Sequence, residues 1–189
     1  WAAFTVAVVY AHTNQTSERA CRPTQRLWNW VRQRLENRNH AIFVLTDANG
    51  RTGTWSDGPE HAPVDVEAVI SGIPERRSET QHRCIGPESP ETENQNGRIF
   101  RQFLEGLDLW AVNTFYRRSS GHTWVGVANR GTETRYNRTR IDYIATNVNQ
   151  VQHVCRDYDC KSKLDVGKNY RKLDHVPIWV DLFIPWHKP

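Results

Sequence analysis

Ala41-Ile42-Phe43-Val44-Leu45-Thr46-Asp47-Ala48-Asn49-Gly50 is the stretch that decides the fold. Its first five residues are an uninterrupted apolar run, which is typical of a buried strand. An acid and an amide follow at the point where the strand ends, and a turn-forming glycine comes next. The stretch therefore predicts a sheet with polar side chains at the mouth of one of its strands.

Two further acids and a histidine occupy similar positions later in the chain. Asp174-His175 comes just before the apolar run 176–180, and Asp142 opens the strand-like sequence Asp142-Tyr143-Ile144. Carboxylates, an imidazole and an amide at strand ends are the groups needed for metal-assisted attack of water on a phosphate ester. Hydrolysis of a phosphodiester is the leading hypothesis from these residues.

Length and composition bound the possibilities. With 189 residues, 38% hydrophobic and 24% charged, the chain is long enough for one soluble domain with a sizeable core. No run approaches the ~20 apolar residues of a membrane helix, so we expect no membrane partner. Lysine and arginine total 25 against 21 aspartate and glutamate, for a net charge of +4. That charge permits a polyanionic partner without requiring one.

Basic residues cluster before two of the candidate acids, either as a surface for a polyanion or as two solvated loops. The clusters are Arg130, Arg135, Arg138 and Arg140, and Lys161, Lys163, Lys168, Arg171 and Lys172. The four cysteines do not match a zinc-binding spacing. We expect free thiols and a reducing compartment, the nucleus or an organelle, although the localisation itself is not determined.

The pattern predicts strands alternating with helices in the first half. Phe4–Tyr10 is expected to be a buried strand, and Ile42–Leu45 the next. Thr24–Arg38 is a predicted helix, with Leu27, Trp30, Val31 and Leu35 along one apolar stripe. Residues 49–96 are predicted to be mostly loop, with one short element within Val64–Ile70.

The second half is predicted to contain one more helix and then strands. Gly97–Gly106 is the helix, and Leu109–Asn113 the strand after it. His122–Val127 and Arg140–Thr146 are expected to pair as a hairpin across an arginine-rich connection. Val151–Val154 and Val176–Ile184 are the last predicted strands.

These motifs in this order resemble the endonuclease/exonuclease/phosphatase family, which includes AP endonucleases and DNase I. The resemblance is greatest to the endonuclease domains of LINE-type retrotransposons, and it spans essentially the whole chain. The strings that carry it are Val9-Tyr10-Ala11, Thr46-Asp47-Ala48-Asn49-Gly50-Arg51-Thr52-Gly53, Asn94-Gln95-Asn96-Gly97-Arg98, Asn113-Thr114-Phe115, His122-Thr123-Trp124, Thr139-Arg140-Ile141-Asp142-Tyr143-Ile144 and Leu173-Asp174-His175-Val176-Pro177.

The resemblance implies an α/β (α+β) fold, the four-layer αββα sandwich of the DNase I type. It also implies one domain over residues 1–189, truncated at its N-terminus and lacking its first strands, because the family's metal-binding Glu and an early Asn precede the strand that ends in Tyr10. We expect the isolated chain to be inactive, or to be completed by an upstream segment or another chain.

The resemblance further implies roles for individual side chains. Tyr10 corresponds to the tyrosine that contacts the scissile phosphate, and Asp47 to the acid that orients or deprotonates the attacking water. Asn49 corresponds to the amide that binds the phosphoryl oxygen. Asp142 is expected to orient and charge the histidine, and His175 to stand beside the phosphate.

A metal carboxylate and a substrate contact complete the implied site. Asp174 is the expected metal ligand, Thr123 the expected substrate contact, and Mg²⁺ the expected cofactor, with Mn²⁺ as the alternative. Hard carboxylate oxygens suit Mg²⁺. The chain departs from the family pattern at Thr46, Ala48 and Leu173, and at His12, where the family has a proline.

The expected function is a Mg²⁺-dependent phosphodiesterase, an endonuclease of retroelement origin that nicks DNA. A phosphatase of lipids or nucleotides is a less favoured enzyme. The alternative from another class is a catalytically inactive, domesticated remnant that serves as a structural subunit of a larger protein assembly.

Overall fold

The computed structural model of the chain describes residues 4–13, 18–53, 84–86, 88, 90–115, 121–130, 133–148, 155–160, 175 and 178–182. Within these residues the fold is mixed α/β. Its elements are β1 (Phe4–Tyr10), α1 (Glu18–Leu35), β2 (Ala41–Asp47), α2 (Gln95–Gly106), β3 (Trp110–Ala111), a 3₁₀ turn (Val112–Thr114), β4 (Trp124–Arg130), β5 (Glu133–Thr139), β6 (Asp142–Thr146), β7 (Cys155–Cys160) and β8 (Ile178–Leu182). The predicted elements Val64–Ile70 and Val151–Val154 lie outside the described residues.

The described strands form three sheets. The main sheet has the order β1-β2-β6-β3, with β1 and β2 parallel and β6 antiparallel to both of its neighbours. The strands β4 and β5 form an antiparallel ribbon, and β7 and β8 form another. The apolar stretch that begins at Ala41 thus becomes an inner strand of the main sheet, as its continuous hydrophobicity predicts.

The two faces of the main sheet differ sharply. Side chains alternate along a strand, so Val9, Val44 and Tyr143 point to the same face. Both helices pack on that face and enclose one hydrophobic core with it. The opposite face carries Tyr10, Asp47 and other residues of their alternate set. Polar candidate residues and buried core residues are therefore separated by strand periodicity alone.

A series of contacts between aromatic rings connects both helices to β6. The ring of Trp28 in α1 packs in a tilted arrangement against Phe103 of α2, with centroids 4.5 Å apart, and against Phe100 at 5.2 Å. Phe100 in turn lies 4.8 Å from the ring of Tyr143. Contacts at these separations add to the free energy gained by burying the rings. The strand that carries Asp142 is thereby anchored to both helices.

The first helix begins earlier and faces differently from the prediction. It starts at Glu18 rather than Thr24, and Pro23 lies inside it. Its fully buried aromatic residue is Trp28, whereas Trp30, placed on the predicted stripe, is 57% exposed. The inward face runs through Cys21, Thr24 and Trp28 to Val31 and Leu35, at spacings of three and four residues. Extending the helix toward Cys21 adds a turn to that stripe.

The prediction that Phe4–Tyr10 is a buried strand was wrong for one of its faces. Phe4, Val6 and Val8 are 55%, 48% and 79% exposed. Within the described sheet β1 is an edge strand, and the helices cover only the face that carries Val9. An apolar strip therefore lies open on the same face as Tyr10.

The predicted hairpin was also wrong in its pairing. Residues 124–130 pair with 133–139, while Asp142–Thr146 crosses to the main sheet and pairs with β2. The arginine-rich connection is itself the strand β5. Its polar residues hid the strand from a pattern based on hydrophobicity, although Thr134, Tyr136 and Thr139 are good strand formers.

The strand predicted over Leu109–Asn113 is shorter than expected, because its pairing is continued by a side chain. After Ala111 the backbone turns, and Asn113 donates from Nδ2 to the carbonyl of Asp142 at 2.9 Å. The Oδ1 atom of Asn113 accepts from the backbone N–H of Ile144 at 3.2 Å. One amide side chain thus takes the place of a peptide group beside β6.

Two further expectations concern cysteines and membranes. The described cysteine side chains, Cys21 and Cys84, are buried and form no disulfide, in line with the expectation of thiols. Neither described helix has the length and apolar character needed to cross a membrane.

Candidate functional site

Three predicted site residues form one row across the main sheet. Tyr10 is the register partner of Asp47 in β2, and Asp47 is the register partner of Asp142 in β6. Partners directly across a sheet point to the same face, so all three side chains lie on the face opposite the helices. Residues 10, 47 and 142 are brought together by strand pairing, which the sequence indicates only as three separate strand ends.

The two carboxylates of the row stand close to each other. The backbone N–H of Ala48 donates to the carbonyl of Ile141 at 2.8 Å. Asp47 and Asp142 are therefore a non-hydrogen-bonded pair of the antiparallel ladder, whose Cα atoms approach to about 4.5 Å. Like charges in such a pair repel each other. The arrangement favours a cationic group between the two acids.

His175 supplies an imidazole at that position. Its Nδ1 atom lies 3.1 Å from Oδ2 of Asp142, and its Nε2 atom 3.9 Å from Oδ2 of Asp47. An ionised carboxylate can only accept, so Nδ1 carries the hydrogen in the first contact. The second distance is too long for a hydrogen bond. The ring is thus oriented by Asp142, with Nε2 turned toward Asp47.

The backbone of His175 is held by the β4/β5 ribbon. His175 forms an isolated antiparallel bridge with Trp124, the first residue of β4. This bridge brings a residue near the end of the sequence to the acids of the main sheet. The neighbouring Asp174, predicted as the metal carboxylate, lies outside the described residues.

Two buried side chains fix the backbone of Asp142. The hydroxyl oxygen of Thr123 accepts from the N–H groups of Ile141 and Asp142, at 3.1 and 3.0 Å. Asn113 donates to the carbonyl of Asp142, as described above. Both side chains are fully buried. Thr123 therefore positions Asp142 and does not reach the surface here, which differs from the substrate contact predicted for it.

The turn after β2 sets the position of Asn49. The backbone N–H of Asn49 donates to Oδ1 of Asp47 at 2.9 Å, which makes an Asx turn. Asn49 has a φ of 47°, in the left-handed region that asparagine tolerates better than most residues. Its side-chain amide donates to the carbonyl of Ala11 at 2.8 Å. One amide hydrogen of Asn49 is thereby used to join the ends of β1 and β2.

Tyr143 stabilises the same turn from the helix-covered side of the main sheet. Its hydroxyl lies 2.9 Å from the carbonyl of Gly50, 3.0 Å from the carbonyl of Arg140 and 3.2 Å from the hydroxyl of Thr52. Burial raises the pKa of this hydroxyl well above its usual value, so Tyr143 acts as a neutral hydrogen-bonding group. Tyr143 lies within the motif Thr139-Arg140-Ile141-Asp142-Tyr143-Ile144, and its role is to support the turn.

Arg140 and Glu91 close the site from the side of the ribbon. The buried guanidinium of Arg140 donates to the carbonyls of Gly121 and Glu88, at 2.7 and 2.8 Å. The carboxylate of Glu91 accepts from the backbone N–H of Arg140 at 2.6 Å, and also from the hydroxyl of Thr139. Arg140 belongs to one of the two basic clusters in the sequence, and its burial shows that this residue lies neither on a surface for a polyanion nor on a solvated loop.

Tyr10 is the most open member of the row, with 69% of its surface exposed. Its neighbour Ala11 is fully buried and donates its N–H to the carbonyl of Asp47 at 2.8 Å. The phenol thus stands on a fixed backbone beside the acid. The departure at Thr46 lies on the other face of β2, where Thr46 is buried toward the helices, so it leaves the row unchanged.

Asp47, Asp142 and His175 form a cluster in which one ligand atom from each lies within 4.8 Å of the others. The carboxylate oxygens are donors that fit Mg²⁺ or Mn²⁺, while an imidazole nitrogen is better suited to Zn²⁺ or another late transition metal. Within this cluster, Nδ1 of His175 contacts Asp142, and Oδ1 of Asp47 accepts from the backbone N–H of Asn49.

No protein-family model matches the chain, and no curated protein is significantly similar to it. The geometry of Tyr10, Asp47, Asp142 and His175 is therefore the observation from which a function is proposed.

Proposed function

We propose that this chain is the catalytic part of a phosphodiester hydrolase, an endonuclease that nicks DNA. The observation that carries the proposal is the contact of His175 with Asp142 beside Asp47, at the end of a row that begins with Tyr10. A general acid–base group, a carboxylate that orients it and a second carboxylate for water are the elements of phosphate ester hydrolysis.

Each residue of the row has a defined task in this proposal. Asp142 holds the imidazole by its Nδ1 atom, so that Nε2 faces the substrate and stabilises charge on the phosphoryl oxygens. Asp47 orients the attacking water and accepts its proton. Tyr10 and the remaining amide hydrogen of Asn49 bind non-bridging oxygens of the phosphate. Tyr10, Asp47 and Asp142 act from one face of the main sheet.

A hard cation is the cofactor that we propose, with Asp174 as its carboxylate ligand. Mg²⁺, or Mn²⁺ in its place, would supply Lewis-acid polarisation of the phosphate when bound. Carboxylate oxygens fit such a cation, and Asp174 adjoins His175 in the sequence. The residues of the row provide positioning and proton transfer.

We further propose that the observed elements belong to a four-layer αββα sandwich of the DNase I type. Two features support this architecture. The helices cover only one face of the main sheet, and the other face exposes Phe4, Val6 and Val8. A second sheet over that face would bury this apolar strip, at about 25 cal/mol per Å².

DNA is the favoured substrate, and the substrate can be tested directly. The natural gene product, meaning the full-length protein that contains this chain, should convert supercoiled plasmid to the nicked form with Mg²⁺ present. Nicking should stop when the metal is chelated. It should release little phosphate from an inositol phospholipid or a nucleotide monophosphate. Faster turnover of either small substrate would assign the site to a phosphatase. Absence of all three activities across Mg²⁺ and Mn²⁺ would favour the inactive structural remnant.

A further inference from the structure

Asn96 lies behind the catalytic row, at the second position of α2, and is 2% exposed. Its side-chain nitrogen Nδ2 is 2.9 Å from the carbonyl of His12 and 3.2 Å from the carbonyl of Asn49. Both neighbours are acceptors, so the amide must present its nitrogen to them. One buried amide group thus bridges the backbone that follows Tyr10 and the backbone that carries the catalytic Asn49.

The oxygen of the same amide makes no such contact. Oδ1 of Asn96 is buried and accepts no hydrogen bond from the described part of the chain. Leaving a buried acceptor unpaired costs free energy. The contacts of this side chain with the turn are therefore the two bonds that its nitrogen donates.

The N-terminus of α2, around Asn96, packs closely against the same turn. Oδ1 of Asn94 accepts from the backbone N–H groups of Gly97 and Arg51, at 2.8 and 3.0 Å. The N–H of Asn94 donates back to the carbonyl of Arg51 at 3.2 Å. A Cβ added to Gly97 would lie 1.8 Å from that carbonyl oxygen. Only a glycine lets the helix and the turn approach this closely.

We infer that Asn96 is a positioning residue for the proposed phosphodiesterase: it sets the spacing between Tyr10 and Asn49 by holding the carbonyls of His12 and Asn49 on one amide nitrogen. The inference rests on the proposed function. Asn49 needs this support because its left-handed backbone is reached at a conformational cost. Fixing the turn keeps the amide of Asn49 beside the carbonyl of Ala11 and within reach of the phosphate that Tyr10 contacts.

Asn147 provides a matched control at the other end of the main sheet. It is also an asparagine that bridges two backbone groups, since its Oδ1 accepts from the N–H of Ile42 at 2.8 Å and its Nδ2 donates to the carbonyl of His40 at 3.2 Å. Replacing Asn147 removes comparable hydrogen bonds far from the catalytic row. The comparison thereby separates the effect on turnover of losing two backbone hydrogen bonds from the effect of displacing Tyr10 and Asn49.

The test compares Asn96→Ala with Asn147→Ala in the natural gene product. Asn96→Ala should lower the turnover of plasmid nicking by about 10- to 100-fold, since small misplacements of reacting groups have effects of this size. DNA affinity measured without metal should not change. Asn147→Ala should leave turnover as it is in the wild type. On an Asn49→Ala background, Asn96→Ala should have little further effect, because the two act as one unit.

Backbone hydrogen exchange gives a readout that does not depend on activity. Asn96→Ala should speed exchange in residues 10–13 and 48–52, and Asn147→Ala should not. If Asn96→Ala does not fold, Asn96→Ser, which keeps one hydrogen-bond donor, is used in its place. Unchanged exchange in both segments would overturn the inference, as would additive effects of Asn96→Ala and Asn49→Ala on turnover. If the wild type nicks no DNA, the proposed function fails, and the exchange experiment alone decides whether Asn96 holds the two segments.

Discussion

Nδ1 of His175 lies 3.1 Å from Oδ2 of Asp142, although 33 positions separate the two residues in the chain. The contact is within the range of about 2.6 to 3.2 Å expected for a catalytic histidine and the group that orients it. It depends on three layers of support: the bridge of His175 to Trp124, the bonds of Thr123 and Asn113 to β6, and the pairing of β6 with β2.

Thr123→Val should impair the orientation of Asp142 while nearly preserving volume. The change removes the acceptor for the N–H groups of Ile141 and Asp142, and buried unpaired donors cost about 1 to 3 kcal/mol. We expect that loss in the free energy of unfolding, together with slower nicking. Thr123→Ser keeps the hydroxyl and should restore nicking. Equal nicking rates for the valine and serine variants would exclude a positioning role for this hydroxyl.

Gly97→Ala should destabilise the protein even though alanine favours helices. The new Cβ would meet the carbonyl oxygen of Arg51, which belongs to the backbone of the Asn49 turn. Gly106→Ala is the control in the same helix, because its Cβ would meet only the flexible end of Arg32. Chemical denaturation should show a loss for the first change and a gain of up to about 1 kcal/mol for the second. A higher free energy of unfolding for Gly97→Ala than for the wild type would show that α2 does not pack tightly against the turn.

Leu35→Ala should cost about 2 to 5 kcal/mol of unfolding free energy, because it empties a buried site between α1 and the sheet. Trp30→Ala, on the same helix, should cost less than about 1 kcal/mol. Trp30 is exposed, and its ring contacts the guanidinium of Arg34 at 5.4 Å. A denaturant titration distinguishes the two. Comparable losses would mean that the inward face of α1 is misassigned.

Alkaline pH should weaken the fold through Cys84. Burial raises the pKa of this thiol to about 12, with a smaller contribution from the charge of Glu105. The unfolded chain releases the proton near pH 8.5, so the folded state alone keeps it above that value. This stabilisation is complete below about pH 8.5 and is lost as pH rises toward 12.

The thiol contribution has a measurable slope. Between about pH 9 and pH 11 it should lower the unfolding free energy by up to ~1.4 kcal/mol per pH unit. Cys84→Ala should flatten the curve by that amount, whatever its effect on absolute stability. Native protein should also resist alkylation at Cys84. Identical slopes for the wild type and the alanine variant would contradict the burial of an uncharged thiol.

Strand ends were predictable from the sequence because buried strands and the polar residues after them leave a local pattern. Asp47 after the apolar run and Asp142 before another run were both found in this way, and the second helix was found from its apolar stripe. The alignment of Tyr10, Asp47 and Asp142 depends on strand register and is not a local property of the sequence. The contact of His175 with Asp142 is expected from the family resemblance, which implies that Asp142 orients the histidine, and the structure places the two side chains within hydrogen-bond distance.

The supporting residues were harder to predict for a different reason. Thr123, Asn113 and Asn96 act through side-chain bonds to distant backbone groups, and their partners become neighbours only after folding. The strand β5 was missed because its sequence is polar, and Trp28 was missed because the predicted apolar stripe ran through Trp30 instead. The sequence motifs contain these residues but do not indicate their structural roles.

The initial rate of plasmid nicking by His175→Ala tests the central claim most directly. His40→Ala is its control, since His40 lies at the other end of the main sheet, where it contacts Thr5. With Mg²⁺, the natural gene product and His40→Ala should nick supercoiled plasmid at the same rate, and His175→Ala should be slower by about 10² to 10⁴. Equal rates for all three proteins, or no nicking by any of them, would contradict the assignment of His175 and Asp142 to phosphodiester hydrolysis.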